Sequence, residues 1–139
     1  MDFVGSKLLL LNGDLLLACL RDDKPDLPYA AHWDLPGGGR EGDETPEACV
    51  LRELEEEFGL TLAPDRLLRR WKYPSMMVAS RASWFFAGVI SAAEVAAIRF
   101  GDLGQYWQMM RVADFLAHPL GVPDLQHRAR AAVADSSWS

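Results

Sequence analysis

The sequence has few cysteines, since Cys19 and Cys49 are the only two among its 139 residues. Two thiols supply neither the disulfide framework of a small secreted domain nor the ligand set of a structural zinc site. Apolar runs approaching the roughly 20 residues of a membrane helix are also missing, because Asn12, Gly13 and Asp14 interrupt the leucine-rich N-terminal segment. No small-residue cleavage site of a signal peptide follows that segment. We therefore expect a soluble cytoplasmic protein with reduced thiols and no membrane partner.

Excess positive charge is absent as well. Twenty acidic residues against fourteen lysines and arginines give a formal net charge of -6. A protein that binds duplex nucleic acid normally shows a basic patch or a high pI, so we expect no such partner. Half of the residues are hydrophobic and 24% are charged, which is ordinary for a soluble globular protein. The length suits one domain, which we place at residues 1–139.

Local patterns predict strands, then a helix, then more strands and more helices. Two apolar runs on either side of Asn12-Gly13 predict a hairpin, and the glycines at 37–39 predict a turn. The expected strands cover residues 6–11, 14–20, 67–74, 82–90 and 105–110, with a brief one in "WDLP". "VADFLAH" and "DLQHRARAAVA" are expected to form helices near the C-terminus. This order favours an α+β fold or a mixed-sheet sandwich over a regular parallel βα alternation.

The helix that follows the glycines has clear start and stop signals. Thr45 suits the N-cap and Pro46 the first helical position, where the missing N–H of proline costs little. Gly59 suits the position just past the helix end. Between them an apolar stripe recurs at helical spacing, formed by Val50, Leu51, Leu54 and Phe58. This helix should therefore pack one face on the core.

Three carboxylates share another face of the same helix. At about 100° per residue, Glu53, Glu56 and Glu57 fall on one stripe, whereas Glu55 points away. The stripe could be a solvated acidic surface, which is the usual fate of a charge run. It could instead hold a hard divalent cation, since Mg²⁺ and Mn²⁺ prefer oxygen ligands. The glycine run favours the second interpretation because backbone carbonyls without side chains can approach a ligand closely.

The segment from residue 38 to 60 resembles the Nudix box. That motif is a glycine, five residues, glutamate, seven residues, then Arg-Glu-apolar-any-Glu-Glu-any-Gly-apolar. Its fixed positions are all filled here, by Gly38, Glu44, Arg52, Glu53, Leu54, Glu56, Glu57, Gly59 and Leu60. The preceding "WDLPGG" resembles the usual lead-in of the family. A motif this long and polar is far more specific than a short glycine pattern, so the chain is identified by resemblance as a Nudix protein.

The resemblance implies an α/β/α sandwich with a mixed sheet between helices. It also implies hydrolysis of a phosphoanhydride bond in a nucleoside diphosphate linked to another group, with Mg²⁺ or Mn²⁺ as cofactor. The implied metal ligands are Glu53, Glu56, Glu57 and the carbonyl of Gly37 or Gly38, with Glu44 as an auxiliary ligand. Arg52 would orient these carboxylates and join Glu53, Glu56 and Glu57 as a catalytic residue. We assign substrate binding to Gly37, Gly38 and Arg40. Glu53 is the favoured general base of the box, although family members differ on this.

One departure from the family pattern lies in "FGDLGQYW". Relatives often carry a glutamate where this chain has Leu103, and if that glutamate serves as a metal ligand or base there, this chain lacks it. Asp102 is the nearest substitute and a further candidate metal ligand, although capping of the loop is the more ordinary role for it.

The resemblance leaves the substrate open. The family includes MutT-like nucleoside triphosphate pyrophosphohydrolases and pyrophosphatases of ADP-ribose or dinucleotide type. The expected partner is therefore a small nucleotide-type molecule, and the protein could be a monomer or a homodimer. A catalytically silent nucleotide-binding module is the alternative, but such modules commonly lose box glutamates, and this chain keeps them all.

Overall fold

The computed structural model describes residues 2–101 and 104–135. In that part of the chain seven strands form one mixed sheet, which runs in the order β3-β2-β1-β6-β5, while β4 pairs with β1 and β7 with β2. The strands are β1 (Phe3–Asn12), β2 (Leu15–Leu20), β3 (Trp33–Asp34), β4 (Gly37–Gly39), β5 (Arg69–Pro74), β6 (Ala82–Val89) and β7 (Tyr106–Arg111). The parallel pair β1–β6 lies beside antiparallel pairs, so the sheet is mixed as expected.

Helices cover both faces of this sheet. They are α1 (Pro46–Phe58), α2 (Ala92–Ala96), α3 (Val112–Ala117) and α4 (Pro123–Ala134), with a short 3₁₀ turn at Pro64–Arg66. Val50, Leu54 and Phe58 of α1 pack into the core on one face. Phe115 of α3 and Leu125 of α4 pack into the core on the other face. The predicted α/β/α sandwich is therefore confirmed. None of the described helices has the length and apolar composition that crossing a bilayer would require.

β1 is the central strand, which explains the leucine run that the sequence carries near its N-terminus. Leu8 and Leu10 belong to the core beneath α1, and Leu9 belongs to the core beneath α3 and α4. A strand buried on both faces has apolar residues at consecutive positions rather than at alternate ones. The predicted hairpin after β1 is also confirmed, with Asn12 opposite Leu15.

The glycines at 37–39 form a strand and not the turn that the sequence predicted. They pair antiparallel with β1, Gly37 opposite Lys7 and Gly39 opposite Gly5. The absence of side chains permits this close pairing, since a Cβ atom on Gly37 would lie 2.1 Å from the backbone oxygen of Ser6. Gly37 also adopts a φ of 129°, which other residues rarely reach. The sequence thus places a bare stretch of backbone directly against the central strand.

Helix α1 begins and ends where its caps predict. The Thr45 side chain accepts a hydrogen bond from the backbone N–H of Ala48 at 3.1 Å, and Pro46 opens the first turn. Gly59 closes the helix in the left-handed conformation, with a φ of 66°. Ser6 of β1 ties the start of the helix to the sheet, because its buried hydroxyl donates to the carbonyl of Pro46 at 3.0 Å. These contacts fix the position of α1 over β4.

Candidate active site

Two glutamates of α1 lie directly against the glycine strand. Oε1 of Glu57 accepts a hydrogen bond from the backbone N–H of Gly37 at 2.9 Å. The Glu53 carboxylate covers Gly38, since a Cβ atom on that glycine would lie 2.6 Å from Cδ of Glu53. The two residues are four positions apart and therefore occupy the same face of the helix. The structure thus brings together Glu53, Glu57 and the backbone of Gly37 and Gly38, and their role as metal ligands stays a prediction.

Arg52 connects the other carboxylates of the box. Its Nε and Nη2 atoms donate to the two carboxylate oxygens of Glu44 at 2.6 and 3.0 Å. Its Nη1 atom donates to Oε1 of Glu53 at 2.9 Å and to Oε2 of Glu56 at 2.9 Å. Nη2 also donates to the carbonyl of Gly39 at 2.8 Å. A planar guanidinium with several donors suits such a fork, and these contacts agree with the predicted orienting role of Arg52.

The predicted auxiliary residues occupy the loop before α1. Arg52, hydrogen-bonded to Glu44, holds the pKa of that carboxyl below its usual value, and the Glu41 backbone N–H acts in the same direction. Nε of Arg40 donates to the carbonyl of Glu44 at 3.0 Å, and its guanidinium lies 4.5 Å from the centre of the Phe3 ring. Arg40 therefore braces this loop against β1. Its role in substrate binding stays a prediction.

Behind the glycine strand lies a charged network that the sequence did not single out. The Lys7 ammonium contacts the Asp34 carboxylate at 3.0 Å and donates to the carbonyl of Gly37 at 3.2 Å. Arg21 reaches the same carboxylate at 2.8 Å. Although burial disfavours the charge of Lys7, the carboxylates of Asp34 and Glu57 outweigh it and raise the pKa of Lys7. Lys7 is the one charged residue in an otherwise apolar strand segment, and that pattern is the signal that could have found it.

Glu57 is the most perturbed carboxylate of the site. Burial raises its pKa to about 7, and the negative charges of Glu53 and Asp34 act in the same direction. The Lys7 ammonium and the Gly37 N–H oppose the shift without cancelling it. Like charges held close together in a partly buried place favour either a proton or a cation between them. The site therefore has the electrostatic character that a divalent cation would relieve.

The donor chemistry fits Mg²⁺ or Mn²⁺, because carboxylate and carbonyl oxygens are the ligands that these cations prefer. Within residues 2–101 and 104–135, however, no three acidic, histidine or cysteine side chains converge closely enough to hold a metal. The reason lies in the hydrogen bonds above. Arg52 holds Glu53 and Glu56, whose side chain is 47% exposed, while Gly37 holds Glu57. Small rotations of these side chains away from those partners would be needed to bring their oxygens together.

Two residues of the sequence analysis fall outside this description. Asp102, the further candidate metal ligand, and Leu103, the departure from the family pattern, lie outside the described ranges.

Glu55 does point away from the site, where its side chain is exposed and accepts a hydrogen bond from the Thr61 hydroxyl at 3.2 Å. Cys49, in contrast, is buried and packs beside the box, with its thiol 3.6 Å from the Gly38 carbonyl.

Comparison with known proteins identifies the family to which the chain belongs. The family model of the NUDIX domain matches residues 4–129, which is most of the chain. The chain therefore belongs to the NUDIX domain family, and the identification made from the box is confirmed.

Among curated relatives, the chain is 50% identical over 58 residues to an RNA pyrophosphohydrolase of Acidiphilium cryptum. That alignment covers 42% of this chain and 34% of the relative. An RNA pyrophosphohydrolase of Tolumonas auensis is 36% identical over 94 residues, which cover 55% of this chain and 53% of the relative. The chain thus spans about a third to a half of the length of the curated relatives that it matches.

Solved structures share the fold. The MutT protein of Methanosarcina mazei superimposes with a TM-score of 0.71 at 20% identity, covering 94% of this chain and 95% of that one. At this level of identity the likeness concerns the fold alone. It supports the mixed sheet between helices.

Proposed function

We propose that this chain is a hydrolase that cleaves a phosphoanhydride bond in a small nucleoside diphosphate derivative, with Mg²⁺ or Mn²⁺ as cofactor. The substrate is either a nucleoside triphosphate, as for a MutT-like pyrophosphohydrolase, or an ADP-ribose or dinucleotide compound. The observation that carries this proposal is the placement of Glu53 and Glu57 against the bare backbone of Gly37 and Gly38. The names of the curated relatives support the same reaction class.

The cation would be held by Glu53, Glu56, Glu57 and the carbonyl of Gly37 or Gly38, with Glu44 as an auxiliary ligand. When bound, it would neutralise phosphate oxygens and make water acidic enough to act as a nucleophile near neutral pH. Without the cation, the acidic site would repel a polyphosphate. The carboxylates of the box would therefore bind the cation, and the cation would in turn allow the polyphosphate to bind.

The side chains of the box have separate tasks in this proposal. Arg52 sets the direction of the carboxylates on either side of it, since it contacts Glu44, Glu53 and Glu56 at the same time. Glu53 acts as the general base, because its carboxylate lies against the backbone of Gly38 at the centre of the box. The missing side chain of Gly38 leaves the room that this carboxylate occupies.

The test is a product-resolved turnover panel with Mg²⁺ and Mn²⁺. It includes canonical and oxidised nucleoside triphosphates, ADP-ribose, NADH, dinucleoside polyphosphates and nucleotide sugars. Glu57→Gln removes one charge from the site, and we expect it to lower turnover by about 100-fold or more. Glu55→Gln is the matched control, because it makes the same chemical change on the same helix at an exposed position away from the site.

The outcomes separate an enzyme from a binding module. Turnover of one substrate that is lost in Glu57→Gln and kept in Glu55→Gln supports the proposal. Equal turnover in both variants contradicts the role of Glu57. Nucleotide binding without turnover, undiminished when the divalent cation is removed, contradicts the hydrolase and favours the silent module.

A further inference from the structure

A cavity of about 220 Å³ borders the glycine strand on the side of its residues Gly38 and Gly39. Its other walls are the start of β1, the loop at 75–77 and Arg128 of α4. Pockets for drug-sized ligands are larger, at roughly 300–1,000 Å³. This one suits a single ring system. Because it touches Gly38, which the Glu53 carboxylate also covers, a group bound here could belong to a molecule whose phosphates lie at the box.

Arg128 is unusual among the charged residues of the chain, because it is only 4% exposed. Its Nη1 atom donates to the Ser83 hydroxyl at 3.1 Å and its Nη2 atom to the Pro74 carbonyl at 2.8 Å. Its guanidinium lies 4.6 Å from the centre of the Tyr73 ring. These partners are all neutral, and the part of the chain that the structure describes places no carboxylate within ion-pair distance of Arg128. A buried cation without an ion-pair partner is costly for a fold that gains nothing else from it.

The pKa of Arg128 also reflects its burial. Burial lowers the pKa of its guanidinium below the usual value, although Asp124 and Tyr73 act in the opposite direction. A guanidinium has several N–H groups in a planar fork, and the two hydrogen bonds above engage only part of them. The guanidinium thus keeps further N–H groups beyond these two bonds, and Arg128 is one of the residues that line the cavity.

The rest of the lining defines what such a ligand would be. Its described polar side chains are hydrogen-bond donors or hydroxyls, namely Arg128, Lys7 and serines, and the described lining residues include no carboxylate. Met76 and Met77 provide flexible apolar surface at the same cavity. Methionine side chains pack favourably against aromatic rings. The cavity thus combines an apolar slot with the guanidinium of Arg128, a group that can donate hydrogen bonds but not accept them.

We propose that this cavity holds the base of the substrate and that Arg128 selects a 6-oxopurine, the guanine class, over adenine. The inference rests on the function proposed above. A 6-oxopurine presents two acceptors, O6 and N7, which a guanidinium can meet together. Adenine presents an amino donor in place of O6, so the same edge would oppose Arg128 donor to donor. Arg128 is in this view a specificity-determining residue, separate from the carboxylates of the box.

The test measures binding of nucleoside monophosphates by calorimetry. GMP, IMP and AMP carry the base but no phosphoanhydride bond, so they report on the cavity without turnover. We expect the native protein to bind GMP about tenfold or more tightly than AMP, with IMP close to GMP because it shares O6 and N7. Arg128→Lys keeps the charge and loses the planar fork, and we expect it to reduce the ratio of the two affinities by about tenfold.

Arg130→Lys is the matched control. Arg130 lies on the same helix but is exposed, and its Nη2 atom donates only weakly to the carbonyl of Leu116 at 3.4 Å. The ratio of affinities is the decisive readout, because a partial loss of folded protein in Arg128→Lys changes both titrations equally. Thermal unfolding of both variants accompanies the binding data.

Three results would overturn the inference. They are AMP binding as tight as GMP binding, an equal loss of both affinities in Arg128→Lys, or no binding of any of the three monophosphates at millimolar concentration. Hydrolysis on the turnover panel without discrimination between bases would overturn this inference and leave the proposed function intact. A GMP preference that depends on Arg128 in a protein that hydrolyses nothing would support the cavity and contradict the hydrolase.

Discussion

Replacing each of the three consecutive glycines of β4 by alanine, one at a time, distinguishes effects on catalysis from effects on folding. At Gly38 an added Cβ atom would lie 2.6 Å from Cδ of Glu53 and 2.7 Å from its Oε2. The colliding atoms are the end of a flexible side chain, so Glu53 can move while the backbone stays. We expect Gly38→Ala to fold normally and to lose about 100-fold in turnover, as displacement of a reacting group by about 1 Å can cost that much.

The two neighbouring glycines predict different outcomes. At Gly37 the added atom would lie 2.1 Å from the backbone oxygen of Ser6, and the φ of 129° is unfavourable for alanine. Strain and overpacking together should lower the free energy of unfolding of Gly37→Ala by roughly 2–6 kcal/mol. At Gly39 the nearest atom is the Val4 oxygen at 3.9 Å. Gly39→Ala should therefore stay within about 0.5 kcal/mol of the native protein and serves as the matched control.

Urea unfolding, turnover on the best substrate and Mn²⁺ affinity would be measured for all three variants. The expected pattern is loss of turnover and Mn²⁺ affinity in Gly38→Ala, loss of stability in Gly37→Ala, and native stability and Mn²⁺ affinity in Gly39→Ala. Should Gly38→Ala match Gly39→Ala in Mn²⁺ affinity and keep native turnover, the placement of Glu53 against the glycine backbone would have no functional meaning. Native stability in Gly37→Ala would refute the argument from close strand approach.

Three further changes test the surroundings of the site. The Arg66 guanidinium, with a backbone hydrogen bond from Ser91, lowers the pKa of Glu94 from 4.5 to about 2. The stability that this interaction adds is therefore complete above about pH 4.5 and lost as the pH falls towards 2. Glu94→Gln should lower the free energy of unfolding at pH 7, and urea unfolding should show a smaller loss near pH 2. Lys7→Met leaves a buried carboxylate with one cation fewer and should reduce the free energy of unfolding by about 3 kcal/mol, and unchanged urea unfolding would contradict this. Arg52→Lys keeps the charge but loses the fork, so kcat should fall by about tenfold or more at nearly unchanged thermal stability, and a native kcat would exclude the orienting role.

The sequence predicted the functional helix well because its signals are local. The N-cap at Thr45, the left-handed Gly59 and the apolar positions between them all lie within a few residues of what they control. The box glutamates follow from the same helix, since their spacing decides which of them share a face. The family pattern implied that a carbonyl of Gly37 or Gly38 joins these glutamates in one ligand set and that Arg52 orients them, whereas the hydrogen bond from the Gly37 N–H to Glu57 depends on tertiary structure that spacing alone leaves open.

The features that the sequence analysis missed depend on partners far along the chain. Three glycines have no side chains to show the alternation of a strand, so β4 was taken as a turn, and its pairing with β1 comes from tertiary structure. Lys7 meets Asp34, 27 positions away. Arg128 did leave a signal, since it lies three residues after Leu125 and so falls on the buried face of α4, but the pattern gives neither its partner Ser83 nor the cavity.

The pairing of β4 with the central strand also determines which parts of the site can open. Segments that open easily are those with few buried contacts and exposed backbone hydrogen bonds, and many ligand-binding loops belong to them. The glycine segment does not, because it is paired with β1 from Gly5 to Lys7 and β1 is buried by helices on both faces. Opening it would require disruption of the sheet itself. Movement that admits a substrate is therefore expected outside β4, and the loop that carries Met76 and Met77 is one segment suited to it, since the second methionine is 66% exposed.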